Sequence, residues 1–246
     1  MMKIATQRVT LDVEDGTSMN AYTARPAEEG KFPGILVFQE AFGVNAHIRD
    51  ITERIAREGY IAIAPELFHR TGPGFEGSYT DRDAIMPHMK AMKEETQVLD
   101  IAAAYDWLKT HPQAVPDRIA SIGFCMGGRA SFLASATVPL RAAISYYGGG
   151  IAPTLLPRAA NLSAPMLFFW GGLDKHIPPD QIRSVMDELK RLGKTHINVE
   201  ISDADHGFNC DARASYNPTA AALAWTLSLK FLDTYVYSHE QKAQVA

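Results

Sequence analysis

The most constraining stretch of the 246-residue sequence is the glycine-flanked cysteine at residues 123–128, Gly-Phe-Cys-Met-Gly-Gly. Residues 119–124 form an apolar run typical of a buried strand, and residues 128–136 are small and apolar, as in a packed helix. The glycines two positions before and after Cys125 leave room for a strained backbone. The pattern predicts a sharp strand-to-helix turn that holds the Cys125 side chain up at the bend.

Cys125 is a candidate nucleophile if this turn forms. Its sulfur would lie at a helix N-terminus, where the partial positive charge favours thiolate over thiol. The motif alone is equally compatible with an ordinary buried thiol, because free cysteine is among the most buried residue types. The choice between the two depends on which other side chains reach the same place.

Composition limits the kind of protein. The length fits one α/β domain over residues 1–246, and 46% hydrophobic with 21% charged residues is ordinary for a globular chain. The formal net charge is −4 and no Lys/Arg-rich run occurs. Nucleic acid is therefore not an expected partner.

The first 15 residues lack the apolar segment of a secretion signal, and no stretch approaches the ~18 apolar residues of a membrane span. We expect a cytoplasmic protein with no membrane partner. Cys125 and Cys210 are too few for a disulfide framework and lack metal-type spacing, and a disulfide between them would be unusual in a reducing compartment. We predict no metal and no cofactor.

Apolar runs alternate with helical patterns along the chain. Residues 4–13 and 19–25 flank a turn at Glu14-Asp15-Gly16 and predict an antiparallel hairpin. Residues 66–89, rich in glycine, proline and charge, are predicted to be an active-site loop with a broken helix. The sequence thus predicts a mostly parallel central sheet with an N-terminal antiparallel hairpin and helices on both faces. Further strands are predicted at 34–38, 60–65, 119–124, 141–147, 165–170 and 196–201, and helices at 45–58, 90–110, 128–136, 180–192 and 218–235.

Two more polar residues follow predicted strands and are expected at the same sheet edge as Cys125. Asp174 and then His206 complete the chain order nucleophile, acid, base that is found in α/β-hydrolases. His206 would take and return a proton, and Asp174 would hold its imidazole in the useful tautomer. The backbone N–H groups of Met126 and Ala41 are the natural donors to an oxyanion.

Each of these residues also has a structural interpretation. Asp174 could cap the turn that precedes residues 177–179, and His206 could be a turn residue bonded to the backbone. His206 is preferred to the other histidines near strand ends because it alone follows the last predicted strand; those others are His47, His69 and His176. The joint arrangement favours a catalytic site, since it is harder to obtain by chance than any single member.

With these residues in place, the sequence from about residue 34 to 232 resembles the dienelactone hydrolase family of α/β-hydrolases. The resemblance lies in residues 39–45, 59–67, 123–128, 171–174 and 206–208. Cysteine at the turn together with Gln39-Glu40 at the end of the first parallel strand is typical of this group. The resemblance implies the α/β-hydrolase fold. It also implies a triad of Cys125, Asp174 and His206 that cleaves a lactone or ester, of the carboxymethylenebutenolidase type, through a thioester.

The resemblance further implies that Glu40 partners the resting cysteine until substrate displaces it. A carboxylate near a thiol opposes thiolate formation, so Glu40 would keep Cys125 less prone to oxidation until substrate arrives. Glu40 is also compatible with a surface carboxylate at a strand end.

The family's namesake binds a substrate carboxylate with two arginines. Arg82 matches the first, but the second position, four residues after the histidine, holds Cys210. Arg213 is nearby but out of register. We therefore predict Arg82 as a substrate-binding residue of an incomplete clamp, although a lone arginine is also compatible with a solvated side chain.

The sequence predicts a hydrolase that acts on a small, anionic lactone or ester. The alternative within the enzyme class is a broader carboxylesterase or thioesterase with the same triad. An inactive, ligand-binding member is disfavoured because all three triad positions are filled, and a peptidase because no extra domain to gate peptides is apparent. The sequence gives no oligomeric state.

Overall fold

The computed structural model describes residues 2–237, and its strands form one mixed sheet. The spatial order of the strands is β1-β2-β4-β3-β5-β6-β7-β8. Their bounds are β1 Ile4–Asp12, β2 Ser18–Pro26, β3 Phe32–Phe38, β4 Ile61–Pro65, β5 Ala114–Phe124, β6 Ala143–Tyr146, β7 Met166–Gly171 and β8 His196–Ile201.

The helices fill the connections between the strands. They are α1 Ala46–Arg57, α2 Arg82–Ala91, α3 Glu94–Thr110, α4 Met126–Ser135, α5 Pro179–Arg191 and α6 Pro218–Tyr235, with a short 3₁₀ helix at Leu156–Asn161 that the sequence did not predict. No helix within residues 2–237 has both the length and the apolar character needed to cross a membrane.

The pairing pattern confirms the predicted sheet. β1 and β2 form the antiparallel hairpin, β2 pairs antiparallel with β4, and the remaining neighbours are parallel. All residues of β4, β6 and β7 are buried, so both faces of these central strands are covered. Their continuous apolar runs are the sequence signature of that environment.

The single helix predicted over residues 90–110 was wrong. Residues 66–81 form a loop, α2 runs on to Ala91 with Pro87 inside it, and α3 begins only at Glu94. The chain is extended at Met92 and Lys93, which separates the two helices. Met92 lies in this break and lines a cavity.

Parallel pairing brings the carboxyl ends of β3, β5, β7 and β8 to one edge of the sheet. The segments that follow these strands carry Glu40, Cys125, Asp174 and His206. The sheet topology therefore brings four residues from separate stretches of sequence to the same edge of the sheet.

Candidate active site

Cys125 lies in the turn between β5 and α4. Its backbone has φ 55° and ψ −118°, an unusual region for a residue with a side chain. The Cys125 N–H donates to the carbonyl of Tyr146 at 3.0 Å, which fixes the turn against β6. The thiol is partly exposed and lines a cavity.

Two glycines make this turn possible. A Cβ at Gly123 would overlap the Gly127 carbonyl, and one at Gly127 would overlap the Phe38 carbonyl at the end of β3. Both neighbours are backbone atoms, which cannot move aside as a flexible side chain can. The sequence feature that predicted the turn is thus explained by backbone packing between β3, β5 and α4.

His206 and Asp174 are in direct contact. Nδ1 of His206 lies 2.7 Å from Oδ2 of Asp174, whose carboxylate is almost completely buried. The other oxygen, Oδ1, accepts the backbone N–H of His176 at 2.7 Å. Asp174 therefore both fixes its own turn and holds His206, so the two interpretations of this residue are compatible.

The electrostatics of this pair favour a charged histidine. Burial alone would lower the pKa of His206, but hydrogen bonds with Asp174 and Cys125, and the charges of both, raise it to about 10. Burial would likewise raise the pKa of Asp174, yet the hydrogen bond and charge of His206 hold it below its usual range. The arrangement stabilises an imidazolium at His206, between the Asp174 carboxylate and the Cys125 sulfur.

The two predicted oxyanion donors, Met126 and Ala41, also line the cavity. The first N–H groups of a helix have no intrahelical acceptor, and Met126 begins α4. Among residues 2–237 no acceptor is bonded to the N–H of Met126 or of Ala41. Both donors are therefore available to a developing negative charge.

Glu40 is fully buried at the end of β3 and pairs with an arginine. Its Oε1 accepts from Nη1 of Arg213 at 3.0 Å, and its Oε2 has no hydrogen-bond partner within residues 2–237. Burial raises the pKa of Glu40, against the opposing charges of Arg213 and His206. The structure therefore gives Glu40 an arginine partner; no hydrogen bond joins it to Cys125 among the described residues.

Arg213 is the site residue that spacing along the sequence had set aside. Its guanidinium lies directly against Gly207, which has φ +81°, and 5.4 Å from the centroid of the Phe42 ring. The turn after β8 folds back, so the arginine reaches the site although it is out of register. A glycine immediately after the histidine was the available signal, because any side chain at residue 207 would displace the guanidinium.

Cys210 and Arg82, at the two positions where the family's namesake has its arginines, do not form a matching pair in the structure. Cys210 is buried and its thiol donates to the Tyr79 hydroxyl at 3.3 Å, and both Cys210 and Cys125 are free thiols. Arg82 begins α2, is exposed and lines the cavity, and its side chain makes no ion pair within residues 2–237. Arg82 thus faces the same space as Cys125, whereas Cys210 is occupied with Tyr79.

One buried group of side chains has metal-ligand chemistry. Ligand atoms of Glu40, His47 and Cys210 lie within 4.8 Å of one another, and Nε2 of His47 has no hydrogen-bond partner among residues 2–237. However, the Arg213 guanidinium sits 3.0 Å from the Glu40 carboxylate and would repel a cation there. These residues fit a metal ion poorly, and we assign none.

The remaining histidines do not replace His206. Nε2 of His69 lies 3.1 Å from Asp100, and the His176 ring lies edge-on to His206 with the centroids 5.3 Å apart. Of the histidines in the described part of the chain, His206 alone reaches the Asp174 carboxylate with its side chain.

The cavity beside Cys125 has a volume of about 610 Å³. It is lined by Cys125 and His206, by three arginines and by an apolar wall, and no aspartate or glutamate of residues 2–237 lines it. The arginines are Arg82, Arg129 and Arg213, and the wall consists mainly of Phe42, Ile85, Met86, Met89, Met92, Met126 and Ile177. Its size suits a small molecule, and its charge favours an anionic one.

The chain is similar to known proteins over almost its whole length. The model of the "Dienelactone hydrolase family" matches residues 19–236. A "Putative carboxymethylenebutenolidase" of Synechocystis sp. is 38% identical over 83% of this chain and 87% of its own. A "Probable 2-oxo-3-(5-oxofuran-2-ylidene)propanoate lactonase" of Bradyrhizobium sp. is 27% identical over 93% and 96%.

A solved structure agrees with these sequence matches. The crystal structure of a "Putative Dienelactone Hydrolase" from Klebsiella pneumoniae subsp. pneumoniae superposes with a TM-score of 0.86 at 33% identity, and covers 95% of this chain and 100% of its own. The chain therefore belongs to the dienelactone hydrolase family and is a hydrolase that acts on esters or lactones.

Proposed function

We propose that the chain hydrolyses a small, anionic lactone or ester, of the carboxymethylenebutenolidase type, through Cys125, His206 and Asp174. The observation that carries this proposal is the 2.7 Å contact between His206 and Asp174, with Cys125 interacting with the same imidazole on a strained turn. A nucleophile, its base and an orienting carboxylate in contact are the requirements for covalent catalysis.

The reaction has two halves. The Cys125 thiolate attacks the carbonyl carbon, and the N–H groups of Met126 and Ala41 receive the oxyanion. The tetrahedral intermediate collapses to a thioester, and the alkoxide that leaves takes the proton of the His206 imidazolium. His206 then removes a proton from water, the water oxygen attacks the thioester carbon, and the Cys125 thiolate departs as the acid is released.

The role of Glu40 follows from the family resemblance and from its burial. A buried carboxylate near the thiol opposes thiolate formation, and the ion pair with Arg213 keeps Glu40 in place behind the cavity. In this proposal Glu40 restrains the resting cysteine, and a bound substrate displaces it.

The substrate class is supported by the cavity. Arg82 and Arg129 line the cavity and make no ion pair within residues 2–237, so they favour a negative charge on the ligand. The name of the Bradyrhizobium relative also describes a lactone that carries a carboxylate. A broader carboxylesterase or thioesterase with the same triad is the second candidate, because Arg82 is exposed and Cys210 stands where the namesake has its second arginine.

The test compares 4-nitrophenyl acetate with 4-carboxymethylenebut-2-en-4-olide, a dienelactone, in wild type and Cys125→Ser, after both proteins are shown to be folded. Turnover of both substrates that is lost in the variant supports the proposal. Turnover of the simple ester alone supports the second candidate. A folded wild type that cleaves neither, or a Cys125→Ser variant as active as wild type, contradicts the proposed chemistry.

A cytoplasmic location also stays a proposal. Two free thiols, one of them exposed to the cavity, suit a reducing compartment. Fractionation of the cells that make the protein tests it, and recovery outside the cytoplasm would contradict it.

A further inference from the structure

Arg129 lies one helical turn after Cys125. It is four residues after Cys125, and its backbone N–H donates to the Cys125 carbonyl at 3.3 Å. Residues four apart share one face of a helix, so its side chain leaves α4 on the side of Cys125. The side chain is partly buried and lines the same cavity.

Within the described part of the chain, the hydrogen-bond partners of the Arg129 guanidinium are uncharged groups. Nε donates to the carbonyl of Gly150 at 3.2 Å, and Nη1 donates to Oε1 of Gln97 at 3.3 Å. Glu94 is the acid whose charge acts on Arg129, but Arg158 already binds that carboxylate at 2.8 Å. No carboxylate lies within ion-pair distance of Arg129 in residues 2–237.

This leaves a fixed cation without a counterion in the wall of the cavity. Burial lowers the pKa of Arg129, against the charge of Glu94. A partly buried charge without an opposite charge is costly, and an anion in the cavity would relieve that cost. Arg213 differs because Glu40 neutralises it. Arg82 differs because it is exposed and its side chain makes no hydrogen bond with any of residues 2–237.

We propose that the Arg129 guanidinium binds a carboxylate of the substrate while Cys125 attacks the ester or lactone carbonyl. The ligand class is therefore a carboxylic ester or lactone with a carboxylate a few bonds from the scissile group. Gln97 and Gly150 position the guanidinium before substrate arrives, which leaves Nη2 for the anion. This inference rests on the proposed function, because it places the substrate by the reaction at Cys125.

The test uses three substrates that differ in charge: the anionic dienelactone, its primary amide and 4-nitrophenyl acetate. Arg129→Gln should lower kcat/KM for the anionic lactone at least tenfold, mainly through KM, and change the two neutral substrates less than threefold. Arg129→Lys, which keeps the charge but loses the planar fork, should fall between wild type and Arg129→Gln. Arg183→Gln, an exposed arginine of α5, is the matched control and should behave as wild type.

The outcomes separate this inference from the proposed function. If wild type cleaves the substrates and Arg129→Gln loses no selectivity for the anion, the inference is wrong and the proposed function stands. An equal loss on all three substrates also contradicts it, because that indicates a structural effect on the turn.

A binding measurement decides the question even if turnover is too slow to follow. Calorimetry with the anionic lactone on Cys125→Ala, with and without Arg129→Gln, should show affinity at least tenfold weaker in the double variant. Equal affinity, or no measurable affinity in Cys125→Ala, overturns the inference.

Discussion

The cavity has two walls of contrasting construction. The wall at the sheet edge holds Cys125, with Glu40 buried behind it, and it is packed backbone against backbone at Gly123 and Gly127. The opposite wall is α2, in which Ile85 is the only buried residue. The groups that we propose to react thus lie on a tightly packed part of the molecule, whereas α2 is less buried.

The contacts of α2 show why this wall differs from the wall at the sheet edge. Its His88 contacts the preceding loop, with Nδ1 2.7 Å from the Thr71 hydroxyl and its ring 4.2 Å from the Phe75 ring. Its methionines face the cavity; their unbranched side chains adapt to different ligand shapes. We therefore expect substitutions at the sheet edge to abolish activity. Substitutions in α2 should instead change which substrates are cleaved.

The largest effect is expected for Gly127→Ala. The new Cβ would overlap the Phe38 carbonyl, so the free energy of unfolding should fall by about 4 kcal/mol or more and activity should be lost. Gly149→Ala is the control, because the nearest atom to its Cβ, on Ile177, is 3.4 Å away. Denaturant unfolding measures both. If Gly127→Ala were as stable as Gly149→Ala, the rigid character of this wall would be refuted.

Asp174→Asn should reduce kcat/KM about 1,000-fold without unfolding the protein. In wild type the His206 pKa of about 10 keeps the imidazole protonated at neutral pH, so kcat/KM should decline only as pH rises towards 10. Loss of the carboxylate lowers that pKa, so the decline should move to lower pH. Asp180→Asn, in the first turn of α5, is the control. A pH profile unchanged by Asp174→Asn would show that His206 does not depend on this contact.

Arg213→Met should cost about 3 kcal/mol of stability at pH 8, because it leaves Glu40 as a buried, unpaired carboxylate. The pKa of Glu40 is already raised by burial and should rise further. A carboxyl that binds its proton more tightly folded than unfolded loses stability as pH rises, so the cost should be smaller at pH 5.

Arg141→Met is the matched control for this substitution, since Arg141 pairs with Asp117 at 3.2 Å on the surface. It should cost less than about 1 kcal/mol at either pH. Equal costs for the two variants would mean that the Glu40 pair contributes no more than a surface ion pair does.

The smallest effect is expected in α2. Met89→Phe should change stability by less than about 1 kcal/mol, but it narrows the cavity. The ratio of kcat/KM between short and long acyl esters should shift by up to about tenfold. Lys90→Ala, exposed on the same helix, should leave this ratio unchanged. A large fall in the free energy of unfolding of Met89→Phe would show that α2 is packed as tightly as the sheet edge, which contradicts the proposed difference between the two walls.

The sequence was most informative where local rules and packing agree. β8 and α6 have the bounds that their patterns predicted, and the turn at Cys125 was predicted because its glycines are required by backbone contacts. The break at Met92 was missed because the apolar spacing that predicts this helix, from Val98 to Leu108, lies entirely within α3 and does not report on residues 90–93.

Side-chain partners were harder to predict than positions on strands. Arg213 reaches Glu40 only because the chain turns back after Gly207, and counting residues along the sequence does not reveal a turn of that kind. Arg129 was overlooked for a related reason. Its sequence context is that of an ordinary helix residue, and only the fold shows that its hydrogen-bond partners, Gly150 and Gln97, are uncharged.

The contact between Gly207 and Arg213 also constrains how the sequence can change during evolution. A lineage that acquires any side chain at position 207 must displace the guanidinium at 213, and the carboxylate at 40 then loses its counterion. Substitutions at these three positions, which lie on two stretches of the chain, are in this way coupled. Across homologues they should be kept together or exchanged together, because each intermediate that changes only one of them is penalised.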